Sequence, residues 1–281
     1  MNSTRVKEWW SGLSRRTLMV GGAVVLLLLV SAIVVIAAPY VLNLGNPVET
    51  INGARFEVFN PDDATGTGLF NSFVRVSSNL EVVQGYNTDY RPLQFQEDQA
   101  WTDSILLSEV PLYTLDGVNY REFQLDINQL QNDPLWFISL DEVQIWLGGP
   151  DAANITGFVP ESVDTDFGSF PGFALDEVYN MDASEDNWVK LDSSLAAGSG
   201  KRDMRLMVPD SYFGDYPYPS CLYGGEGCDQ NVVFYTKYGI EYPNNDGFEE
   251  WGVAIYNLVI GSKWHDQNAD GVWDDGEPGL E

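Results

Sequence analysis

Histidine and cysteine are nearly absent from the sequence, which has one histidine and two cysteines in 281 residues. Serine and cysteine hydrolases use a histidine to take the proton from the nucleophile, so His265 alone, near the C-terminus, argues against such catalysis. A glycosidase needs only two carboxylates, but among 42 acidic residues some pair always qualifies. We therefore expect a protein that is not an enzyme.

Basic residues are also scarce, with 14 Lys and Arg against 42 Asp and Glu. Four of the bases and one acid precede the apolar segment described next, which leaves 41 acids and 10 bases after it, a net charge near −31. Electrostatic repulsion excludes nucleic acid as a partner. A charge of this size keeps an exposed protein soluble and attracts divalent cations.

No charged residue occurs between Arg16 and Glu49, and residues 18–38 are almost wholly apolar. About 20 apolar residues cross a bilayer as a helix. Residues 1–16 carry the basic side chains, so the positive-inside rule keeps them in the cytoplasm and exports the rest. We expect residues 17–44 to be a membrane-spanning signal anchor or a cleaved signal peptide, and residues 45–50 to be a spacer.

The export signal leaves two alternatives open. Val35-Ile36-Ala37 before Ala38 would serve as a cleavage site, but the apolar run is longer than a usual signal-peptide core, which favours an uncleaved anchor. Ser14 to Met19 contains two adjacent arginines and is similar to a twin-arginine signal, whereas two arginines beside a membrane segment also fit the general export route.

No useful amphipathic helical pattern follows Ile51, and short runs of β-branched and aromatic residues alternate with turn residues. Leu112–Leu115, Asp116-Gly117 and Val118–Ile127 give the clearest hairpin signal, because Asp-Gly suits a type I′ turn. A break in alternation at Asp141-Glu142 predicts a bulge in a strand over 137–147. We predict an all-β domain over residues 51–262, a β-sandwich or jelly roll.

The two cysteines, Cys221 and Cys228, enclose a loop rich in glycine. Outside the cytoplasm, two cysteines this close are expected to form a disulfide. A zinc site would need further ligands, and the single histidine is distant in sequence.

Residues 266–277 match a twelve-residue calcium loop at each diagnostic position. Gly271 permits the tight turn, and oxygen atoms at alternating positions suit a hard cation. The predicted Ca²⁺ ligands are Asp266, Asn268, Asp270, the carbonyl of Val272, Asp274 and Glu277. The extended sequence before the loop and Pro278-Gly279 after it do not fit an EF-hand.

Two resemblances accompany these motifs. Residues 66–68, 73–75, 84–89, 120–123, 125–129, 186–188, 198–200, 203–204 and 247–251 form an ordered set of short blocks. Together they resemble an uncharacterised domain of secreted bacterial surface proteins, which implies a location and an architecture but no activity. Residues 263–281, with Gly-Glu-Pro-Gly at 276–279, resemble the opening of the B-type repeats of serine-aspartate-repeat surface adhesins. This implies that the natural chain continues into a further repeat.

The leading functional hypothesis is a non-catalytic module of the cell surface or extracellular matrix, partnered by an envelope or matrix protein, with calcium at its C-terminal junction. The alternative is a carbohydrate-binding module whose partner is a surface glycan. The aromatic residues predicted to stack on sugar rings are Trp188, Tyr216, Tyr218, Tyr223 and Trp251. Membrane contact through the N-terminal helix is expected if that helix stays uncleaved.

Overall fold

The computed structural model describes residues 38–59, 70–160, 168–195, 202–214 and 230–255. The chain divides into two units, Met1–Ala38 and Pro39–Glu281, and the second is described here with the strand that starts at their boundary. The described residues include three short 3₁₀ helices, Leu107–Glu109, Pro150–Asn154 and Asp210–Phe213. The strands are β1 Ala38–Val41, β2 Val48–Ile51, β3 Ala54–Val58, β4 Phe70–Val76, β5 Val83–Tyr86, β6 Ile105–Leu106, β7 Leu112–Leu115, β8 Val118–Ile127, β9 Phe137–Gly148, β10 Leu175–Asn180, β11 Asn187–Asp192, β12 Met204–Pro209, β13 Asn231–Tyr238 and β14 Glu249–Ala254.

The strands form two sheets that pack on each other, which confirms the all-β, sandwich-like prediction. The first sheet has the order β1-β11-β9-β13-β5, with β10 also paired to β9 and β6 to β13. The second has the order β2-β3-β12-β8-β14-β4, with β7 also paired to β8. Neighbours in the sheets are mostly distant in sequence, so the chain crosses repeatedly from one sheet to the other.

The predicted hairpin and bulge are both present. β7 and β8 pair in register around Asp116 and Gly117, whose φ angles of 51° and 81° are those a type I′ turn requires. In β9, Glu142 lies opposite Lys237 and Leu140 lies opposite Tyr238, which leaves Asp141 as the extra residue. The break in alternation therefore marked a real bulge.

Apolar side chains fill two separate regions. The main core lies between the sheets and includes Phe73, Phe123, Phe234 and Trp251, whose rings pack at centroid distances of 4.9 to 6.1 Å. A smaller core covers the outer face of the first sheet with aromatic and aliphatic side chains from β5, β9, β13 and the loops near Phe158. Both faces of β9 are consequently buried, so its sequence lacks clean polar alternation.

The outer face of the second sheet carries ion pairs rather than single charges. Arg75 donates to Glu250 at 3.1 and 2.8 Å, and its guanidinium lies 4.3 Å from the ring centroid of Trp101 and 3.9 Å from that of Phe248. Arg205 pairs in the same way with carboxylates on β3 and β8. Cations stacked on rings and paired with carboxylates can be buried at modest cost.

Two strands overlap the residues predicted to be the membrane segment and the spacer. Residues 45–50 were expected to form a spacer, but Val48–Ile51 is strand β2 of the second sheet. The membrane segment was expected to reach Leu44, but Ala38–Val41 is strand β1, and Leu42 is buried in the core. An apolar run satisfies a membrane and a core equally well, so hydropathy alone could not locate this boundary. Within the described residues, no helix has the length and hydropathy to cross a membrane.

Candidate functional site

Several predicted site residues lie outside the described residues. They are the calcium ligands Asp266, Asn268, Asp270, Val272, Asp274 and Glu277, the cysteines Cys221 and Cys228, and the tyrosines Tyr216, Tyr218 and Tyr223. Among the residues that are described, no group of three or more His, Cys, Asp or Glu side chains is placed to hold a metal ion.

Of the two described candidates for sugar stacking, one is excluded by burial. Trp251 is 0 % exposed in the main core, and its Nε1 donates to Thr236 Oγ1 at 3.1 Å. Glu249 and Glu250 precede it, whereas the residues after it are apolar and continue strand β14 into the core. The prediction that Trp251 contacts a glycan is wrong. Trp188 is only partly buried and keeps part of its ring accessible.

Three crossings between the sheets meet at the end of the sandwich where β9 begins, and we call them the loop cluster. It consists of residues 77–82 between β4 and β5, residues 128–136 between β8 and β9, and residues 239–248 between β13 and β14. The register of the sheets brings these crossings together, because β5 and β9 start, and β8 and β13 end, at this level.

Two asparagines on the third loop connect all three loops. Asn244 Nδ2 donates to the carbonyls of Ser78 and Leu80, both at 2.9 Å. Asn245 Oδ1 accepts from Leu130 N at 2.9 Å, and Asn245 Nδ2 donates to Leu135 O at 2.6 Å. Side-chain amides thereby replace the backbone pairing that loops lack, and the cluster has a defined conformation.

The third loop also lies directly against its neighbours. Gly239 has φ +97°, and a Cβ there would come within 2.0 Å of the carbonyl oxygen of Glu81, so only glycine fits. On the other side, the Ser139 hydroxyl accepts from Glu241 N and Tyr242 N, both at 3.1 Å. This close approach fixes residue 240 and its neighbours relative to β9.

Four rings form an aromatic cluster beside these loops: Trp136, Phe137, Trp188 and Tyr242, all partly buried. Phe137 packs edge-on against Trp136 and Tyr242, with centroids 6.0 Å apart in both pairs. Trp188 meets Tyr242 at 5.9 Å and 45°. Lys190 places its ammonium 3.6 Å from the ring centroid of Phe137 and 4.3 Å from that of Tyr242. The rings cross at steep angles and therefore do not form a flat platform.

The loop cluster exposes aliphatic side chains to solvent. Leu80 is 54 % exposed and Ile240 is 53 % exposed. Val82, Leu130 and Leu135 are exposed to a smaller degree on the same three loops. The carbonyl of Glu81 lies against Gly239, so the first and third loops touch beside Leu80 and Ile240. Exposed apolar side chains that stand close together are a feature of interaction sites.

Buried acids lie beneath the loop cluster. Glu249 accepts from the Gln129 amide and from Asn128 N, and burial raises its pKa well above the ordinary glutamate value. Asp203 accepts from Ile127 N at 2.8 Å, and burial raises its pKa well above the ordinary aspartate value, assisted by the nearby Asp126 and Glu249. Raised pKa values favour the neutral acids, which can be buried without a counter-ion.

Asp141, the extra residue of the β9 bulge, connects this region to the third loop. Its Oδ2 accepts from Ile240 N at 2.8 Å, whereas its Oδ1 is buried without a hydrogen-bond partner. Burial raises its pKa to about 6, and the hydrogen bonds with Ile240 N and the Ser139 side chain and the charge of Lys237 only partly oppose this. The Ile240 backbone is therefore held by a carboxyl group whose pKa lies well above the ordinary aspartate value.

Sequence reasoning found Trp188 but missed the aliphatic members of this surface. Their signal is weak but readable: Leu80 stands between Asn79 and Glu81, and Leu130 stands between two glutamines. An isolated large apolar residue inside a polar turn has no strand or helix pattern to explain it.

No family model, curated protein or solved structure matches the chain. The resemblances to a secreted surface domain and to adhesin repeats remain predictions from the sequence.

Proposed function

We propose that this protein is a non-catalytic module of an exported cell-surface or extracellular-matrix protein. The observation that carries the proposal is the loop cluster, where exposed apolar side chains stand on loops that hydrogen bonds fix to a two-sheet scaffold. Such a construction presents a preformed surface to a partner. Export is supported by the apolar run after the basic residues 1–16.

The remaining parts of the proposal come from the sequence. A jelly-roll connectivity is the finer form of the sandwich, residues 266–277 bind Ca²⁺ at the C-terminal junction, and Cys221 and Cys228 form a disulfide. Calcium at that junction would stiffen the connection to a following repeat.

Surface exposure is the property to test first. Brief protease treatment of intact cells of the native host, followed by peptide mass spectrometry, should release peptides from residues 70–255 before any cytoplasmic marker protein is cut. Protection of these peptides in intact cells, together with cleavage in lysed cells, would refute a surface location.

Carbohydrate binding is the second candidate, and the accessible part of Trp188 next to Tyr242 favours it. Aromatic rings can pack on the apolar faces of sugars. The acidic and amide side chains of the adjacent loops can accept hydrogen bonds from the sugar hydroxyl groups. A glycan array probed with the wild type and with Trp188→Ala tests this candidate. Binding that Trp188→Ala leaves unchanged would exclude this surface as the sugar site.

A further inference from the structure

We infer that the loop cluster is a docking surface for a protein partner that offers an apolar anchor surrounded by lysine or arginine residues. The inference deepens the proposed function and rests on it, because it names the surface and the chemistry through which a non-catalytic module would bind.

The apolar part of the surface supplies the anchor site. Leu80 and Ile240 are more than half exposed, and they flank the contact between Glu81 and Gly239, where two loops touch. Exposed aliphatic side chains pack against other apolar side chains and gain little from sugar hydroxyls. The steep angles between the neighbouring rings also favour a protein side chain over a flat sugar ring.

The charges around the anchor site indicate which charged residues the partner should carry around its apolar anchor. The three loops contain four acidic residues, all exposed, and no lysine or arginine: Glu81, Asp133, Glu241 and Asp246. Among the described residues, two bases contact these loops, and both are already held: Lys190 lies against the rings of Phe137 and Tyr242, and Arg75 lies against the ring of Phe248 and pairs with Glu250. A basic partner is therefore complementary to this rim, and complementary charges accelerate association and exclude wrong partners.

The same charges argue against other occupants. A second copy of this chain would bring the same acidic rim and a net charge of −28, and the two copies would repel each other. An anionic lipid surface would be repelled in the same way. Strand β14 begins at the loop cluster with Glu249 and ends at Ala254, at its opposite end. The chain after this strand therefore does not start from the loop cluster.

The surface is preorganised, which lowers the entropic cost of binding. Asn244 and Asn245 hold all three loops, and Asp141 holds the backbone of Ile240. Interfaces whose loops are already ordered retain more of their contact free energy as affinity. We therefore expect binding without a large rearrangement of the loops.

The test uses the full chain in zwitterionic lipid nanodiscs and an immobilised amphipathic peptide of leucine and lysine, in about 0.15 M salt, where only nearby charges act. Empty nanodiscs give the background signal in biolayer interferometry. The same peptide with glutamate in place of lysine is the charge control. We expect the lysine peptide to bind and the glutamate peptide to bind at least about tenfold more weakly.

Two double variants of unchanged net charge locate the contact. Leu80→Ser with Ile240→Ser removes the anchor site, and we expect it to weaken lysine-peptide binding about tenfold or more. Val41→Ser with Val118→Ser removes side chains that are 41 % and 45 % exposed outside the loop cluster, and should leave binding within about twofold. Unchanged circular dichroism of both variants shows that the fold is intact.

Each remaining outcome overturns the inference. Unchanged binding in both double variants would mean general attraction of a polycation, and equal loss in both would mean that the loop cluster is not the contact. Equal binding of both peptides would remove the role of the acidic rim. If the wild type binds glycans and only the Leu80→Ser, Ile240→Ser variant loses this binding, the surface is a sugar site. If the same pattern is seen for binding to empty nanodiscs, the surface is a lipid site. Failure of the peptide experiment leaves the protease result on intact cells untouched, so the docking surface and the surface location are refuted separately.

Discussion

The carboxyl group of Asp141 should contribute to the pH dependence of the free energy of unfolding, and Asp141→Asn should remove that contribution. Asp141 sits at the bulge of β9, accepts a hydrogen bond from Ile240 N at 2.8 Å and is 4 % exposed. Burial raises its pKa from 3.8 to about 6. Asparagine has nearly the same shape and keeps an oxygen for Ile240 N, but it carries no charge at any pH.

The magnitude follows from the difference between the two pKa values. A raised pKa means that the folded state holds the proton more tightly than the unfolded chain does. Protonated Asp141 therefore stabilises the folded state relative to the ionised group. This contribution to the free energy of unfolding is complete below pH 3.8 and is lost as pH rises through about 6. A shift of about two units corresponds to about 3 kcal/mol, most of it lost between pH 4 and pH 7. The buried amide nitrogen of asparagine adds a cost of about 1–3 kcal/mol, but this cost does not change with pH.

Urea unfolding of the exported region, followed by tryptophan fluorescence at several values between pH 4 and pH 8, measures the effect. The difference in unfolding free energy between Asp141→Asn and the wild type should move by about 2–3 kcal/mol in favour of the variant as pH rises. Asp133→Asn removes the same charge from an exposed loop position and controls for net charge. A difference that stays constant with pH, or that moves in favour of the wild type, would refute the assignment of a raised pKa to Asp141.

Three further predictions address the rest of the chain. Glu277→Ala should abolish calcium binding in calorimetry at about 10⁻⁴–10⁻³ M while the main melting transition stays nearly unchanged; a large fall in that transition would place the calcium loop inside the sandwich. Peptide mass spectrometry of unreduced exported protein should find Cys221 bonded to Cys228, and reduction should cost about 2–3 kcal/mol, whereas two free thiols would contradict the disulfide. Trp251→Ala should destabilise the domain by about 3–5 kcal/mol in urea unfolding, because it empties the centre of the core; a loss below about 1 kcal/mol would contradict its burial.

The elements that the sequence predicted well are those with a local physical signature. Ala54, Phe56 and Val58 alternate in the sequence with Arg55 and Glu57, and they form the more buried face of β3. The Asp-Gly turn set the register of β7 and β8. The break in the pattern at Asp141 became the bulge. In each case a few adjacent residues carry the information, because side-chain period and turn geometry are properties of the local backbone.

The elements that were missed depend on contacts distant in sequence. β1 and β2 are short, and their apolar residues look the same beside a membrane as inside a core. The alternation in β8 correctly separates Phe123 from Glu122, but Glu122 is buried too, since the outer face of this sheet is also covered. The loop cluster exists only once Asn244 and Asn245 meet two loops more than 100 residues away, and no local pattern records that meeting.

The strand β1 has a consequence for the timing of export. The candidate cleavage site ends at Ala37, and β1 begins at Ala38 and is paired with β11 in the folded domain. A peptidase needs several residues on both sides of its target in an extended, unpaired state, and the residues after this target are the ones that β11 engages. If the chain is exported and its leader is cleaved there, removal of the leader and completion of the first sheet would compete in time. Slow folding would favour a released protein, and fast folding would favour one that stays tethered.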